Sequence, residues 1–357
     1  MSISKVFIIV PSSVYDSPIK GAAALANALT KWVSVTFITL KQGDDGFDLL
    51  NDNIEWVPLA KYKWYEKLKV LRELLNQSGD RNTIATISLC FSADIMNSLC
   101  VNNVAITCAS VRGNLPLTYV NTYGFKGKWL AHFHLKRLKK INQVVSMTSI
   151  MAKQVQEYIG RKSPIIGNFI NEQRLAEYRK KKLNTGVYKF VFTGSLTYAK
   201  QPLILIDALA TLIENGEDVR LDIFGDGPLM ESLKDRVEQL SIDDKVIFHG
   251  FVNEPYSYIA NADTLVLPSL SEGISRSALE ALYLGTPCVL RNVDGNSELI
   301  KEGVNGSLFK DNSELADAMI RVAKFFRDRM DAPSLLPGRF RQQTAAKQYL
   351  NLLNCNR

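Results

Sequence analysis

Pro268-Ser-Leu-Ser-Glu272-Gly-Ile-Ser-Arg-Ser-Ala-Leu-Glu280-Ala-Leu-Tyr-Leu-Gly285-Thr-Pro287 follows the apolar run Thr264–Leu267 and leads into a second apolar run ending at Leu290. Ser275 stands where a helix N-cap belongs, and Ser275–Leu284 reads as the helix it opens. Gly285 supplies a stop, and Pro287 cannot extend the helix. Strand, helix, strand in so short a span predicts a right-handed parallel βαβ unit. Glu272 falls in the loop leaving the first strand, and Glu280 about one and a half turns inside the helix. A carboxylate on each side of a helix start, whose free N–H groups attract anions, suits a phosphate pair flanked by two polyols. Taken alone, the same two residues also read as solvated glutamates of a helix.

The alternation continues outward in both directions. Lys189–Thr193, Arg220–Phe224, Val246–Phe248 and Thr286–Leu290 read as further strands, with helices over Pro202–Asn215 and Leu229–Leu240. Upstream, Lys5–Val10, Val33–Leu40, Thr83–Leu89, Asn103–Cys108 and Gln143–Met147 read as strands, with helices at Gly21–Thr30 and Trp64–Asn76. The expectation is an α/β protein of two Rossmann-like domains. Their predicted bounds are residues 1–167 and 188–338, with 168–187 as a linker. A final helix at about 339–357 is expected to return to the first domain.

Composition agrees with a globular chain of this size. Among 357 residues, 46% are hydrophobic and 22% charged, and the net charge is +7. That argues against disordered or low-complexity classes. No apolar run reaches the ~18 residues of a membrane-spanning helix, and Met-Ser-Ile-Ser-Lys passes into strand without a leader pattern. Cys90, Cys100, Cys108, Cys288 and Cys355 are odd in number and scattered, which fits reduced thiols better than a disulfide frame. Charge is lopsided: residues 1–167 hold 20 basic and 11 acidic side chains, the rest 23 and 25. A basic first half and a slightly acidic second half point to different partners.

Ser-Glu-Gly-x4-Ala-Leu-Glu-Ala-Leu-x-x-Gly-Thr-Pro resembles the signature of the large retaining glycosyltransferase family with the GT-B fold, in which the two domains face each other across a central cleft. Phe192-Thr-Gly194-Ser-Leu with Lys200, Phe224-Gly-Asp-Gly-Pro228 and Phe248-His-Gly-Phe-Val252 match in order and spacing. The resemblance is close over about residues 188–310 and rests on pattern alone before that. It implies that Glu272 binds donor-sugar hydroxyls with the N–H groups of Gly273, Ile274 and Ser275. It further implies that Glu280 holds the ribose and that Lys200, beside Gly194 and Ser195, neutralises the diphosphate. Phe251 and Val252 would receive the nucleobase, and Gly21 would let backbone approach the phosphates. Two departures stand out. Ser195 replaces an arginine common in the family, leaving Arg276 or another residue to supply that charge. The usual first-domain histidine is absent, and Arg112 and Asn114 are expected to line the acceptor side. Each also reads as part of a structural turn.

The implied reaction is retaining transfer of a hexose or N-acetylhexosamine, UDP-N-acetylgalactosamine being favoured, from a nucleotide sugar to a lipid-diphosphate-linked sugar. Enzymes that extend O-antigen or capsule repeats work in this way. Transfer to lipopolysaccharide core or a soluble acceptor, or a silent sugar-nucleotide-binding subunit, are the alternatives. No D-x-D triplet suggests a metal, and no cofactor is expected. Glu272 and Glu280 lie roughly 12 Å apart even on a continuous helix, too far for the acid–nucleophile pair of a retaining glycosidase at ~5–5.5 Å. Two stretches, Lys61–Leu75 and Lys126–Lys140, combine basic residues with Trp64 and Trp129 on amphipathic patterns. They suit an anionic membrane surface, hence a peripheral protein on the cytoplasmic face of the plasma membrane. They also suit core-facing helices with basic outer faces. Nucleic acid is disfavoured, because aromatics and charges do not interleave as a stacking groove requires.

Overall fold

A computed structural model describes residues 2–14, 16–42, 48–113, 115–179, 186–293, 295–327 and 333–355. The chain divides into two compact units, Met1–Asn171 with Gly338–Arg357, and Glu172–Pro337. In the first, strands β1 (Lys5–Ser12), β2 (Ser34–Lys41), β3 (Glu55–Pro58), β4 (Ile84–Leu89), β5 (Ile106–Val111) and β6 (Gln143–Ser146) form one parallel sheet. Helices α1 (Ser17–Leu29), α2 (Trp64–Gln77), α3 (Phe91–Ser98), α4 (Leu115–Tyr123), α5 (Phe125–Leu138) and α6 (Ser149–Ile159) connect the strands. The second unit opens on α7 (Glu172–Ala176). It continues through β7 (Tyr188–Thr193), α8 (Pro202–Glu214), β8 (Val219–Phe224), α9 (Met230–Gln239), β9 (Val246–Gly250) and α10 (Tyr256–Asn261). It ends with β10 (Thr264–Leu267), α11 (Arg276–Leu284), β11 (Cys288–Arg291), α12 (Asn296–Leu299), β12 (Gly306–Phe309) and α13 (Leu315–Arg327). A last helix, α14 (Gln342–Asn354), belongs to the first unit.

Strand order is β3-β2-β1-β4-β5-β6 in one sheet and β12-β11-β10-β7-β8-β9 in the other. Numbered within its own unit, the second order is the first read backwards, so both sheets share one topology. The order reverses between β1 and β4 in the first unit and between β7 and β10 in the second. Ligands of such sheets sit outside the carboxyl ends of the strands at that reversal. Helices cover both sheet faces, so the central strands are buried throughout, as β4 and β5 are along their whole length.

Local chemistry explains the boundaries. α1 begins four residues before the expected Gly21 because Asp16 caps it, accepting from Ile19 N at 3.0 Å, and Pro18 presets its first turn. Its alanines Ala22, Ala23, Ala24, Ala26 and Ala28 are buried, and their small side chains let α14 pack over the helix. Gln342 Nε2 donates to Ala24 O at 2.7 Å, and Tyr349 Oη donates to Ser110 Oγ at 2.8 Å. Within the segment expected as a linker, Phe169 and Ile170 are fully buried in the first unit, and Leu175 in the second. All five cysteines are free thiols.

Gly225 has φ +140°, and a Cβ there would lie 1.8 Å from Gly194 O. The turn after β8 therefore packs backbone against backbone on the loop after β7, where Leu196 N donates to Asp226 O at 2.9 Å. Gly225→Ala is expected to cost about 3 kcal/mol or more. A thermal unfolding midpoint equal to that of the unsubstituted chain would refute this packing role.

Candidate functional site

Two loops flank the strand reversal of the second sheet, Gly194–Gln201 after β7 and Pro268–Ser275 after β10. They and the elements they adjoin, β7 and α11, are tied to each other at three places. Leu270 N donates to Ala199 O at 2.9 Å, and Ser277 Oγ to Thr193 O at 3.2 Å. The third tie is the ion pair between Lys200 Nζ and Glu272 Oε1. Ser269 Oγ donates to the same carboxylate oxygen at 2.9 Å, so Glu272 is fixed from both sides. Only 11% of its side chain is exposed, against 27% for Lys200. A half-desolvated pair of this kind interacts more strongly than one in open water.

Ser275 is the N-cap of α11, and its Oγ accepts from Ala278 N at 3.4 Å. The first-turn N–H groups of Arg276 and Ser277 have no intrahelical acceptor, so the helix start carries the positive end of its dipole. One turn on, Arg276 Nε lies 3.0 Å from Glu280 Oε1, with both side chains about nine-tenths buried. Arg276 Nη1 is buried and finds no hydrogen-bond partner among the described residues. The same holds for Thr193 Oγ1 at the end of β7. Unfilled polar atoms at such a position suit an incoming anion. Burial, then the Glu280 carboxylate, pushes the Tyr256 phenol above its usual range, so it remains a neutral hydroxyl beside this pair.

The structure thus pairs Lys200 with Glu272 and Arg276 with Glu280 on either side of the Ser275 cap, with Gly194, Ser195, Gly273 and the buried Ile274 in the adjoining loops. Phe251 and Val252 follow β9 on an exposed turn, Phe251 being 75% accessible. Among the described residues, no group of three His, Cys, Asp or Glu side chains is placed to hold a metal ion.

In the first unit, Gly21 and Arg112 are neighbours. A Cβ on Gly21 would come within 3.1 Å of Arg112 Nη1, which itself donates to Asn168 Oδ1 at 2.5 Å. The guanidinium also stacks 5.2 Å from the Phe169 ring centroid. Asn114, expected beside it, lies outside the described residues. Cys90, between β4 and α3, has φ +71°, a strained turn at the sheet's reversal point. Burial first, then the Asp94 and Asp16 carboxylates, push its thiol up to about 12.

Sequence reading missed one buried network. Asp94 on α3 accepts from Ser88 Oγ at 2.6 Å and bonds His134 Nε2 on α5 at 2.9 Å, while His134 Nδ1 meets Tyr119 Oη on α4 at 2.9 Å. Burying the carboxylate is tolerable because these partners satisfy it. The network fastens α4 and α5 to the core through residues 15 to 40 positions apart, a spacing without a local signature.

The two basic stretches differ in what they bury. On α2, Leu71 and Leu75 are buried and Leu68 packs on the same core, so its leucine face is internal, while Trp64 and Tyr65 at its start are 47% and 67% exposed. α5 buries Ala131, Leu135 and Leu138 but leaves Phe125, Trp129 and Phe133 73%, 72% and 48% exposed on one stripe. No helix of the described residues is long and apolar enough to cross a membrane.

Residues 173–332 match the family model of glycosyl transferases group 1. The chain is 32% identical over 174 residues to the UDP-Gal:alpha-D-GlcNAc-diphosphoundecaprenol alpha-1,3-galactosyltransferase of Escherichia coli, covering 45% of each. It is 36% identical over 177 residues to the O-antigen biosynthesis glycosyltransferase WbnH of Escherichia coli, covering 49% of this chain and 48% of that one. These alignments span about half the length of the relatives. Its fold is similar to that of Anabaena HepE in complex with UDP, with TM-score 0.68 and 16% identity over 98% of this chain and 95% of the other. The fold is therefore that of the GT-B glycosyltransferases, and residues 173–332 are the part of the chain that matches glycosyl transferases group 1.

Proposed function

We propose that the chain transfers a hexose or N-acetylhexosamine, with retention, from a UDP-sugar to a saccharide carried on a lipid diphosphate. The observation that carries this reading is the Lys200–Glu272 pair across the strand reversal, beside the helix start that holds Arg276 and Glu280. In the free protein each cation occupies a carboxylate. When the donor arrives, Glu272 and Glu280 take sugar and ribose hydroxyls, and Lys200 and Arg276 turn to the diphosphate. Arg276 supplies the charge that Ser195 does not. Breaking the sugar–phosphate bond puts negative charge on the leaving diphosphate, where the two cations and the α11 amides stabilise it. In a front-face reaction the departing phosphate accepts the acceptor's proton, so no protein base is called for. A relative's name, with its GlcNAc-diphosphoundecaprenol acceptor, supports the lipid diphosphate.

The test is a panel of sugar nucleotides, UDP-galactose and UDP-N-acetylgalactosamine included, incubated with the protein and washed membranes. One hexose or N-acetylhexosamine added to a lipid diphosphate is the expected mass change. Donor hydrolysis alone, or no product from any donor, overturns the proposal.

The reading places the protein on the cytoplasmic face of the plasma membrane through α5, whose Lys126, Lys128, Lys136 and Arg137 are unaccompanied by acids on that helix. Trp129→Ser is expected to weaken binding to phosphatidylglycerol liposomes by about tenfold, and Trp64→Ser to leave it unchanged. Equal loss in both variants would contradict this orientation.

A further inference from the structure

A groove of about 680 Å3 runs between α4, α5 and α6. Val120, Ala131 and Leu135 line it with hydrocarbon, Lys128 and His132 stand on one side, and Glu157 on the other. Its volume lies within the ~300–1,000 Å3 of ordinary ligand sites. Lys128 and His132 lie about a quarter of a turn round α5 from the Phe125–Trp129–Phe133 stripe. The two faces adjoin, since Lys128 Nζ sits 5.5 Å over the Phe125 ring. A helix resting on a bilayer by that stripe, its apolar side chains about 5–10 Å into the headgroup/acyl boundary, holds this groove beside the headgroups. Pro116, which lines it, is four positions after Arg112, so at most about 14 Å of chain separates them.

We infer that this groove receives the first part of the hydrocarbon chain of the membrane lipid that carries the acceptor sugar, with Lys128 and His132 facing its phosphate. The inference rests on the lipid-linked acceptor proposed above. Apolar lining takes the chain, the cations complement the phosphate, and a position at most about 14 Å of chain from Arg112 favours the acceptor lipid over bulk phospholipid. Because the pocket lies on α4 to α6 and the donor site on α11, the two can be assayed separately.

The experiment uses the full chain and hexadecyl phosphate bearing a diazirine within a few carbons of the phosphate, photolysed and mapped by peptide mass. Label is expected on Val120 or between Ala131 and Leu135, displaced by polyprenyl diphosphate and not by equal phosphatidylglycerol. Val120→Trp should cut labelling by about tenfold, and Lys128→Glu, at an exposed position that spares folding, by about fivefold. Labelling unaffected by both variants, confined to the Phe125–Phe133 stripe, or displaced equally by phosphatidylglycerol overturns the inference. Labelling needs no turnover, so a chain that labels here yet transfers no sugar retains the groove and loses the proposed reaction.

Discussion

Glu272→Ala is expected to lower sugar transfer by about 10²–10³-fold, the loss typical when a group that stabilises the transition state is removed. UDP binding should be preserved or slightly strengthened, because Lys200 then loses its carboxylate partner and is free for phosphate. A purely structural role makes a different prediction. If Glu272 serves only to hold Lys200 and Ser269, Glu272→Ala and Lys200→Ala lower the unfolding midpoint alike, and turnover per folded molecule stays normal. Initial rates with saturating donor, corrected for folded fraction, separate the two. Normal turnover in Glu272→Ala removes the residue from the chemistry.

Glu280→Gln carries the second large effect. The substitution keeps shape and removes the charge that would accept two ribose hydroxyls, worth about 1.5–3 kcal/mol for a charge-assisted hydrogen bond, or roughly tenfold to a hundredfold in UDP affinity. A smaller effect opposes it, since Arg276 is released from its pair 3.0 Å away and can meet the diphosphate more readily. The ribose contacts are direct and the release is indirect, so net weakening of about tenfold or more is expected by calorimetry. The glutamine variant should bind free uracil as the parent does. Unchanged UDP affinity would take Glu280 out of the site.

The sequence made the α11 region legible because its signals are local. Ser275 as cap, Gly285 at φ +89° as terminator and Pro287 beyond it are each read within a few residues. Strand–helix alternation likewise gave the parallel sheets, since right-handed crossovers leave little freedom in order. Less was visible where the deciding partner is distant. The edge strand β3 has only four residues and no run to announce it. The division of α4 from α5 depends on Gly124 at φ +59°. Trp64 and Trp129 sit in similar basic patterns, yet only the packing of Leu71 and Leu75 against the core shows that the leucine face of α2 is internal. The Lys200–Glu272 pair joins residues 72 positions apart, and no spacing rule would have proposed it. Gly21 and Arg112, chosen for separate reasons, prove to be neighbours.

The most direct measurement is a crystal structure of the protein with UDP. The account predicts the diphosphate at the start of α11, contacted by Lys200 and Arg276, with Glu280 on the ribose and the Lys200–Glu272 pair opened. A nucleotide bound away from the β7–β10 reversal, with both ion pairs intact, would contradict it.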